Sequence, residues 1–266
     1  MILGIVQGLT EFLPVSSSGH LMIARELLGV EAEGFLDFTV TVHFATVVST
    51  LVVFWGAIWA LIKGVFKFKY NDETDYVLKL IVSMIPVAVV GLFFKDRVEG
   101  LFGDSLGTVA CCLIVTAVLL FLSDFLSHRL PRENTHRNGI AWWQALVVGL
   151  GQACAVAPGL SRSGTTIATG LISGVKRENM AQFSFLMVIV PILGEQLLDC
   201  MDMVFAPAGG AQMASVGLLP LVIGGVAAFL SGLFACKAMV ALVKKAKLSW
   251  FALYCVIVAA IILVAA

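Results

Sequence analysis

The sequence predicts an all-α polytopic membrane protein built as an inverted-topology repeat. Each half is expected to combine one re-entrant helix–loop–helix hairpin with three transmembrane helices. Three observations predict this: the composition, the spacing of charge-free runs, and an internal duplication. Of 266 residues, 60% are hydrophobic and 13% charged, and the mean hydropathy is +1.01. A soluble domain carries about 25% charged residues. The polar residues here are too few to cover a soluble fold, which excludes an ordinary soluble enzyme. Lys+Arg and Asp+Glu balance at 17 each, leaving no basic surplus for nucleic acid. The six cysteines form no metal-type CxxC pair and read as buried thiols. The N-terminus has no basic region of the kind that opens a signal peptide.

The elements follow in order. Residues 1–13 are apolar but stop at Pro14, before Ser16-Ser17-Ser18-Gly19. At about 1.5 Å per residue, about 13 residues reach only about 20 Å, too short to span, and residues 19–29 are shorter still. This is the first hairpin. Residues 38–62 are 25 residues without a charge and make the first span. The second covers 76–94, with Lys79 snorkelling, and the third 105–123. Residues 138–157 run into Pro158-Gly159-Leu160-Ser161-Arg162-Ser163-Gly164, and the short piece 165–174 follows. This is the second hairpin. The fourth span begins at 179 and continues past Glu195. The fifth starts near Ser215, after a loop at Ala206-Pro207-Ala208-Gly209-Gly210. Residues 248–266 make the sixth. Spans of roughly 20 residues suit a bilayer, and continuous rather than alternating runs exclude a barrel. The chain is a single integral membrane domain, 1–266, with repeat 1 over about 1–127 and repeat 2 over about 138–266.

The two hairpins are copies. At an offset of 145 residues, Gly4, Gln7, Ser16, Ser18, Gly19, Gly29, Val30 and Phe38 fall on Gly149, Gln152, Ser161, Ser163, Gly164, Gly174, Val175 and Phe183. A hairpin plus three spans places the second copy upside down, a plan known from transporters with broken helices at the midplane. With this topology 13 basic residues, among them Lys63, Lys79, Arg137, Arg177 and Lys245, fall on one face. Only Arg25, Lys95 and Arg97 fall on the other, and Arg162 sits in a tip. The positive-inside rule makes the first face cytoplasmic. Both termini are then outside, and the hairpin tips, entering from opposite faces, should meet inside the bilayer.

Irregular backbone at membrane depth is tolerated only inside protein or along a wet cavity. The tips carry Ser16, Ser17, Ser18, His20, Ser161, Arg162, Ser163, Thr165 and Thr166, with Glu11 just before the first. An intramembrane Arg and Glu need partners or a function. The plainest alternative is a structural Glu11–Arg162 ion pair. The copies differ where chemistry would differ: Ser17 aligns with Arg162, Glu11 with Val156, and His20 with Thr165. This division suits an anion held between the tips. Gly19 and Gly164 let backbone amides approach it, at helix N-termini whose dipoles favour negative charge. Arg162 can fork onto phosphate oxygens. Ser17 could be a nucleophile with His20 or Glu11 as base, or Glu11 could hold a hard cation.

The runs Gln7-Gly8-Leu9-Thr10-Glu11-Phe12-Leu13-Pro14-Val15-Ser16-Ser17-Ser18-Gly19-His20 and Pro158-Gly159-Leu160-Ser161-Arg162-Ser163-Gly164-Thr165-Thr166 resemble the two signatures of the bacterial undecaprenyl-diphosphate phosphatase family, the bacitracin-resistance type. The resemblance covers essentially the whole chain. It implies a hydrolase of the bacterial cytoplasmic (inner) membrane whose site opens outward. Such an enzyme converts undecaprenyl diphosphate to undecaprenyl phosphate, recycling the lipid carrier for peptidoglycan synthesis and giving bacitracin resistance. It implies a divalent cation, Mg²⁺ or Ca²⁺. It also implies catalytic roles for Glu11, Ser17, His20 and Arg162, and substrate binding by Ser16, Ser18, Gly19, Ser161, Ser163, Gly164 and Thr166. Gln7 stands where some members have Glu, so Glu11 would be the single metal carboxylate, with Gln7 as its companion. Partners are then a polyprenyl diphosphate lipid and membrane lipids, not nucleic acid; a homodimer stays open. The alternative is a transporter or flippase for a lipid phosphate, using the same site.

Other polar residues are expected to be structural. His43 reads as a satisfied intramembrane histidine. Glu195 and Asp199 read as an interfacial helix end, and Pro86 and Pro191 as kinks. Lys244, Lys245 and Lys247 read as an anchor to anionic lipid. His128 and His136 need no role.

Overall fold

The computed structural model describes residues 1–30, 35–94, 97, 100, 105–127, 136–157, 159–194, 217–245 and 247–265. Glu195, Asp199, His128, Pro158, the loop at 206–210 and the side chains of Lys244 and Lys245 lie outside the described residues. Among the described residues the regular structure is helical. The helices are α1 (Ile2–Phe12), α2 (Ser17–Leu28), α3 (Phe35–Val53), α4 (Trp55–Val65), α5 (Asp72–Phe93) and α6 (Leu106–Ser127). A 3₁₀ turn (Arg137–Gly139) leads to α7 (Trp142–Cys154), α8 (Arg162–Ile172), α9 (Arg177–Met187), α10 (Leu218–Lys245) and α11 (Ser249–Ala265).

The helix boundaries at the two tips have local causes. Pro14 forbids helical backbone at the residue before it, and Leu13 ends α1 in an extended conformation. Ser16 and Ser161 then cap the next helices, their Oγ atoms accepting from Gly19 N at 3.2 Å and Gly164 N at 3.1 Å. Ser16 has φ +69°, a left-handed conformation that costs a serine about 1–3 kcal/mol. The strain sits at the turn that presents Ser17. Gln144, in the first turn of α7, donates to the carbonyl of Ser173 at the end of α8 (2.8 Å), so this helix pair folds back on itself.

Among the described residues three helices, α5, α6 and α10, are long and apolar enough to cross a membrane alone. The run 38–62 is not one straight span: α3 and α4 meet at Phe54 with a bend of 70°. Counted together they make a fourth crossing. α11 is a shorter apolar helix. In the region of the expected fourth span, α9 stops at Met187 and helix resumes at 189–194. Pro86 lies inside α5, and Pro191 just beyond the break at Val188. Together with the composition, these helices give a multi-pass membrane protein.

Packing exchanges helices between the two halves of the chain. α1 lies on α10, and α7 lies on α5. Both contacts depend on glycine. A Cβ at Gly4 would stand 2.3 Å from the Gly224 carbonyl oxygen, and one at Gly149 would stand 2.3 Å from that of Ser83. α6 is the pillar between the tips. Its buried residues Val109, Leu113, Thr116, Ala117, Leu120 and Asp124 recur every three or four positions, one face of a helix. Phe121 and Phe125 are exposed on the rest of it, as suits a lipid-facing surface.

The cysteine expectation holds for three of the five described cysteines, and Cys200 lies outside the described residues. Cys112, Cys236 and Cys255 are buried, while Cys111 and Cys154 are exposed because their helices turn those positions outward.

Lys79 does not snorkel. It is buried and donates to Asp75 Oδ2 at 2.6 Å and to the Arg137 carbonyl at 2.9 Å. Tyr70 and Asn138 also donate to Asp75, and Arg137 pairs with Asp72. Removing one partner of a buried pair costs about 3–5 kcal/mol because it strands a charge. Lys79→Met is therefore expected to lower the Tm of the detergent-purified protein clearly. The pair Asp75→Leu/Lys79→Met should recover most of the loss. A single variant with wild-type Tm would show that this pair does not hold the α5 end together.

Candidate active site

Glu11 stands at the end of α1, one turn after Gln7. That i, i+4 spacing lets the Gln7 amide donate to Glu11 Oε2 at 2.8 Å. Ser17 Oγ, at the start of α2, donates to the same oxygen at 2.7 Å. The second tip reaches this group directly, with Ser163 Oγ donating to the Leu13 carbonyl at 3.0 Å. The tips therefore meet, as the sequence predicts. Arg162 and Glu11 line one small cavity with Phe12, Thr46, Thr50 and Ser184. Its volume is about 20 Å³, enough for a water molecule. Two helix N-termini, those of α2 and α8, converge here, adding positive dipole ends to the Arg162 charge.

Several predicted site residues also make structural contacts. The amides of Gly19 and Gly164 donate to the caps at Ser16 and Ser161. Both glycines pack closely against α6. A Cβ on Gly19 would stand 2.8 Å from Val109 Cγ1, and one on Gly164 would stand 3.1 Å from Thr116 Cγ2. Ser161 N also donates to Thr116 Oγ1 at 3.2 Å, so α6 holds both tips. Thr166 is fully buried and pairs with Ser184 Oγ at 2.6 Å. Ser18 Oγ lies 3.4 Å from Ser16 Oγ. Thr165 donates to the Ser161 carbonyl.

His20 bonds elsewhere than to Ser17. Its Nδ1 donates to the Ser16 carbonyl at 2.8 Å, and its Nε2 lies 2.8 Å from Tyr254 Oη on α11. The two rings stack at 5.6 Å. A carbonyl only accepts, so Nδ1 carries the hydrogen, and a neutral ring takes the Tyr254 proton donor at Nε2.

The structure adds His43. Its Nδ1 donates to the Thr39 carbonyl at 2.9 Å, which turns Nε2 toward Glu11 Oε2, 3.9 Å away. The signal was present in the sequence: His43, Thr46 and Thr50 form a polar stripe at helical spacing on an apolar helix. Tyr254 carries no such signal.

Among the described residues, no three of His, Cys, Asp and Glu converge as a metal cluster. The donors near Glu11 are one carboxylate and the Gln7 amide, whose Oε1 is buried with no hydrogen-bond partner. That oxygen-rich set suits a hard cation that takes its other ligands from water and phosphate.

An undecaprenyl-diphosphatase of Bacteroides fragilis is 52% identical over 264 residues, covering 99% of this chain and 96% of that protein. One of Parabacteroides distasonis is 54% identical over 257 residues, 97% and 93% of the two chains. One of Methanobrevibacter smithii is 38% identical over 275 residues, 98% and 95%. The sequence profile described as bacitracin resistance protein BacA matches residues 1–261, and the chain belongs to that family.

Proposed function

We propose that this chain hydrolyses undecaprenyl diphosphate to undecaprenyl phosphate and inorganic phosphate in the bacterial inner membrane. The observation that carries the assignment is the joint between the tips. It puts Glu11, which accepts from Ser17 Oγ, and Arg162 on one cavity.

The terminal phosphoryl group lies between the tips. Arg162 and the positive dipole ends of α2 and α8 neutralise its oxygens. Ser17 Oγ attacks phosphorus as Glu11 takes its proton across the 2.7 Å bond. The bond from phosphorus to the bridging oxygen breaks, and undecaprenyl phosphate leaves. Water then releases phosphate from Ser17. In the direct alternative, Ser17 and Glu11 orient the attacking water. The geometry favours Glu11 over His20 as the base for Ser17. Gln7 and Glu11 would hold a divalent cation, which supplies charge neutralisation at the phosphate oxygens when bound.

His20 assists proton transfer to the leaving oxygen, and Tyr254 fixes its ring. Tyr254→Phe removes one hydrogen bond, a net effect of about 0.5–1.5 kcal/mol. It is expected to lower kcat about 2- to 10-fold and to displace one limb of the kcat–pH profile. A profile identical to wild type would remove Tyr254 from the account.

The exchanged pairs α1–α10 and α7–α5, each closed by a glycine, support the inverted repeat. In this reading both termini lie outside, and the polar clusters at Lys79–Asp75 and Arg177–Asp124 lie on the cytoplasmic side. The site opens outward.

The test is product analysis. Purified protein given undecaprenyl diphosphate should yield one phosphate and one undecaprenyl phosphate per turnover, and less with a chelator. Movement of intact lipid across proteoliposomes without phosphate release would establish the flippase instead.

A further inference from the structure

The chemistry at Ser17 and Glu11 leaves His43 unused, although it faces Glu11. The Thr39 carbonyl only accepts, so the His43 hydrogen sits on Nδ1 and Nε2 presents a lone pair. Nε2 stands 3.9 Å from Glu11 Oε2, beyond hydrogen-bond distance. An N–H at Nε2 would find no place on Oε2, whose two lone-pair sites are filled by Gln7 and Ser17. Two acceptors so placed call for one donor with two hydrogens, a water molecule. Room for a water lies beside Glu11, in the cavity that it shares with Thr46 and Thr50 on the same face of α3. Both hydroxyls spend their hydrogens on helix carbonyls, those of His43 at 2.7 Å and Thr46 at 3.1 Å. They too offer a water only acceptors.

We propose that His43 is a catalytic residue of the second half-reaction: together with Glu11 it holds the water that hydrolyses phosphorylated Ser17. The inference rests on the phosphatase assignment above and on its covalent route. Phosphorylation removes the Ser17 hydroxyl hydrogen from Oε2, so a lone-pair site opens there only once the phosphoserine exists. The water donates one hydrogen to Oε2 and the other to His43 Nε2, which leaves its own lone pairs free to face phosphorus. By then Glu11 has passed the Ser17 proton on to the departing lipid phosphate. The water oxygen bonds to phosphorus, and the bond from phosphorus to Ser17 Oγ breaks. One water hydrogen reaches Oγ through Glu11, and the other stays on the released phosphate.

Two amide substitutions separate this role from a structural one. In His43→Gln the side-chain oxygen can stand where Nε2 stands and accept from the water. In His43→Asn the amide nitrogen can stand where Nδ1 stands and keep only the bond to Thr39. His43→Asn is expected to lose about 10²-fold in kcat with KM little changed, as for a misplaced reactant. His43→Gln is expected to lose only about 2- to 5-fold. A purely structural histidine would give the reverse order. Acid quenching of the reaction, with the terminal phosphate of undecaprenyl diphosphate labelled, is expected to show more phosphoserine at Ser17 in His43→Asn than in wild type. The reverse order, or a slow His43→Asn without extra phosphoserine, overturns the proposal. Should His43→Asn fail to fold, His43→Leu takes its place with the same expected loss and the same extra phosphoserine. Near-full turnover by Ser17→Ala overturns the proposal whatever the histidine variants do, because no phosphoserine would then form. Absence of phosphate release by the wild-type protein would instead overturn the phosphatase assignment.

Discussion

Arg162→Ala is expected to slow phosphate release from undecaprenyl diphosphate by about 10³–10⁵-fold, the contribution of an arginine that stabilises phosphoryl-transfer charge. Arg162 is the first residue of α8, just after its Ser161 cap. The cap bond from Gly164 to Ser161 survives the substitution, so the helix should still form and Tm should change little. Arg162→Lys keeps the charge but loses the planar fork, and is expected to recover only a small part of the rate. An alanine variant within tenfold of wild type would remove the guanidinium from the chemistry and leave a structural ion pair.

Glu11→Gln is expected to lower kcat by about 10²–10⁴-fold, the range for loss of a general base. The substitution is nearly isosteric, and an amide oxygen can still accept from Ser17 and Gln7. It therefore isolates the charge and the proton-accepting ability from the geometry. It also weakens any cation held with Gln7, so the chelator sensitivity of the residual rate should change with it. Ser17→Ala separates the two routes. Near-full turnover would leave water as the nucleophile, while a trapped phosphoserine in wild type would establish the covalent route.

Much of this architecture is legible in the sequence because its causes are local. Pro14 stops α1, and Ser16 and Ser161 cap the next helices three residues before a glycine. The duplication places two polar tips in an apolar chain, and charge scarcity leaves Arg162 in the second. What the sequence hides is set by distant packing. The run 38–62 carries no Asp, Glu, Lys, Arg or Pro, and the bend at Phe54 belongs to the packing against α5 and Phe185. Gly19 and Gly164 suggest amides aimed at an anion, but only the structure shows that α6 needs the space. His20 and Tyr254 meet across 234 positions, beyond any local pattern. Lys79 looks like a snorkelling lysine until Asp75, one turn earlier, is seen beside it.

The central claim is that the two tips form one catalytic unit. Its most direct test is the rate of phosphate release by Glu11→Gln, Arg162→Lys and the double variant under one set of conditions. Groups that act on the same transition state are strongly non-additive. The double variant is therefore expected to be little slower than the slower single variant. Losses that multiply would mean that Glu11 and Arg162 act independently, and would contradict a single site shared by the two halves of the chain.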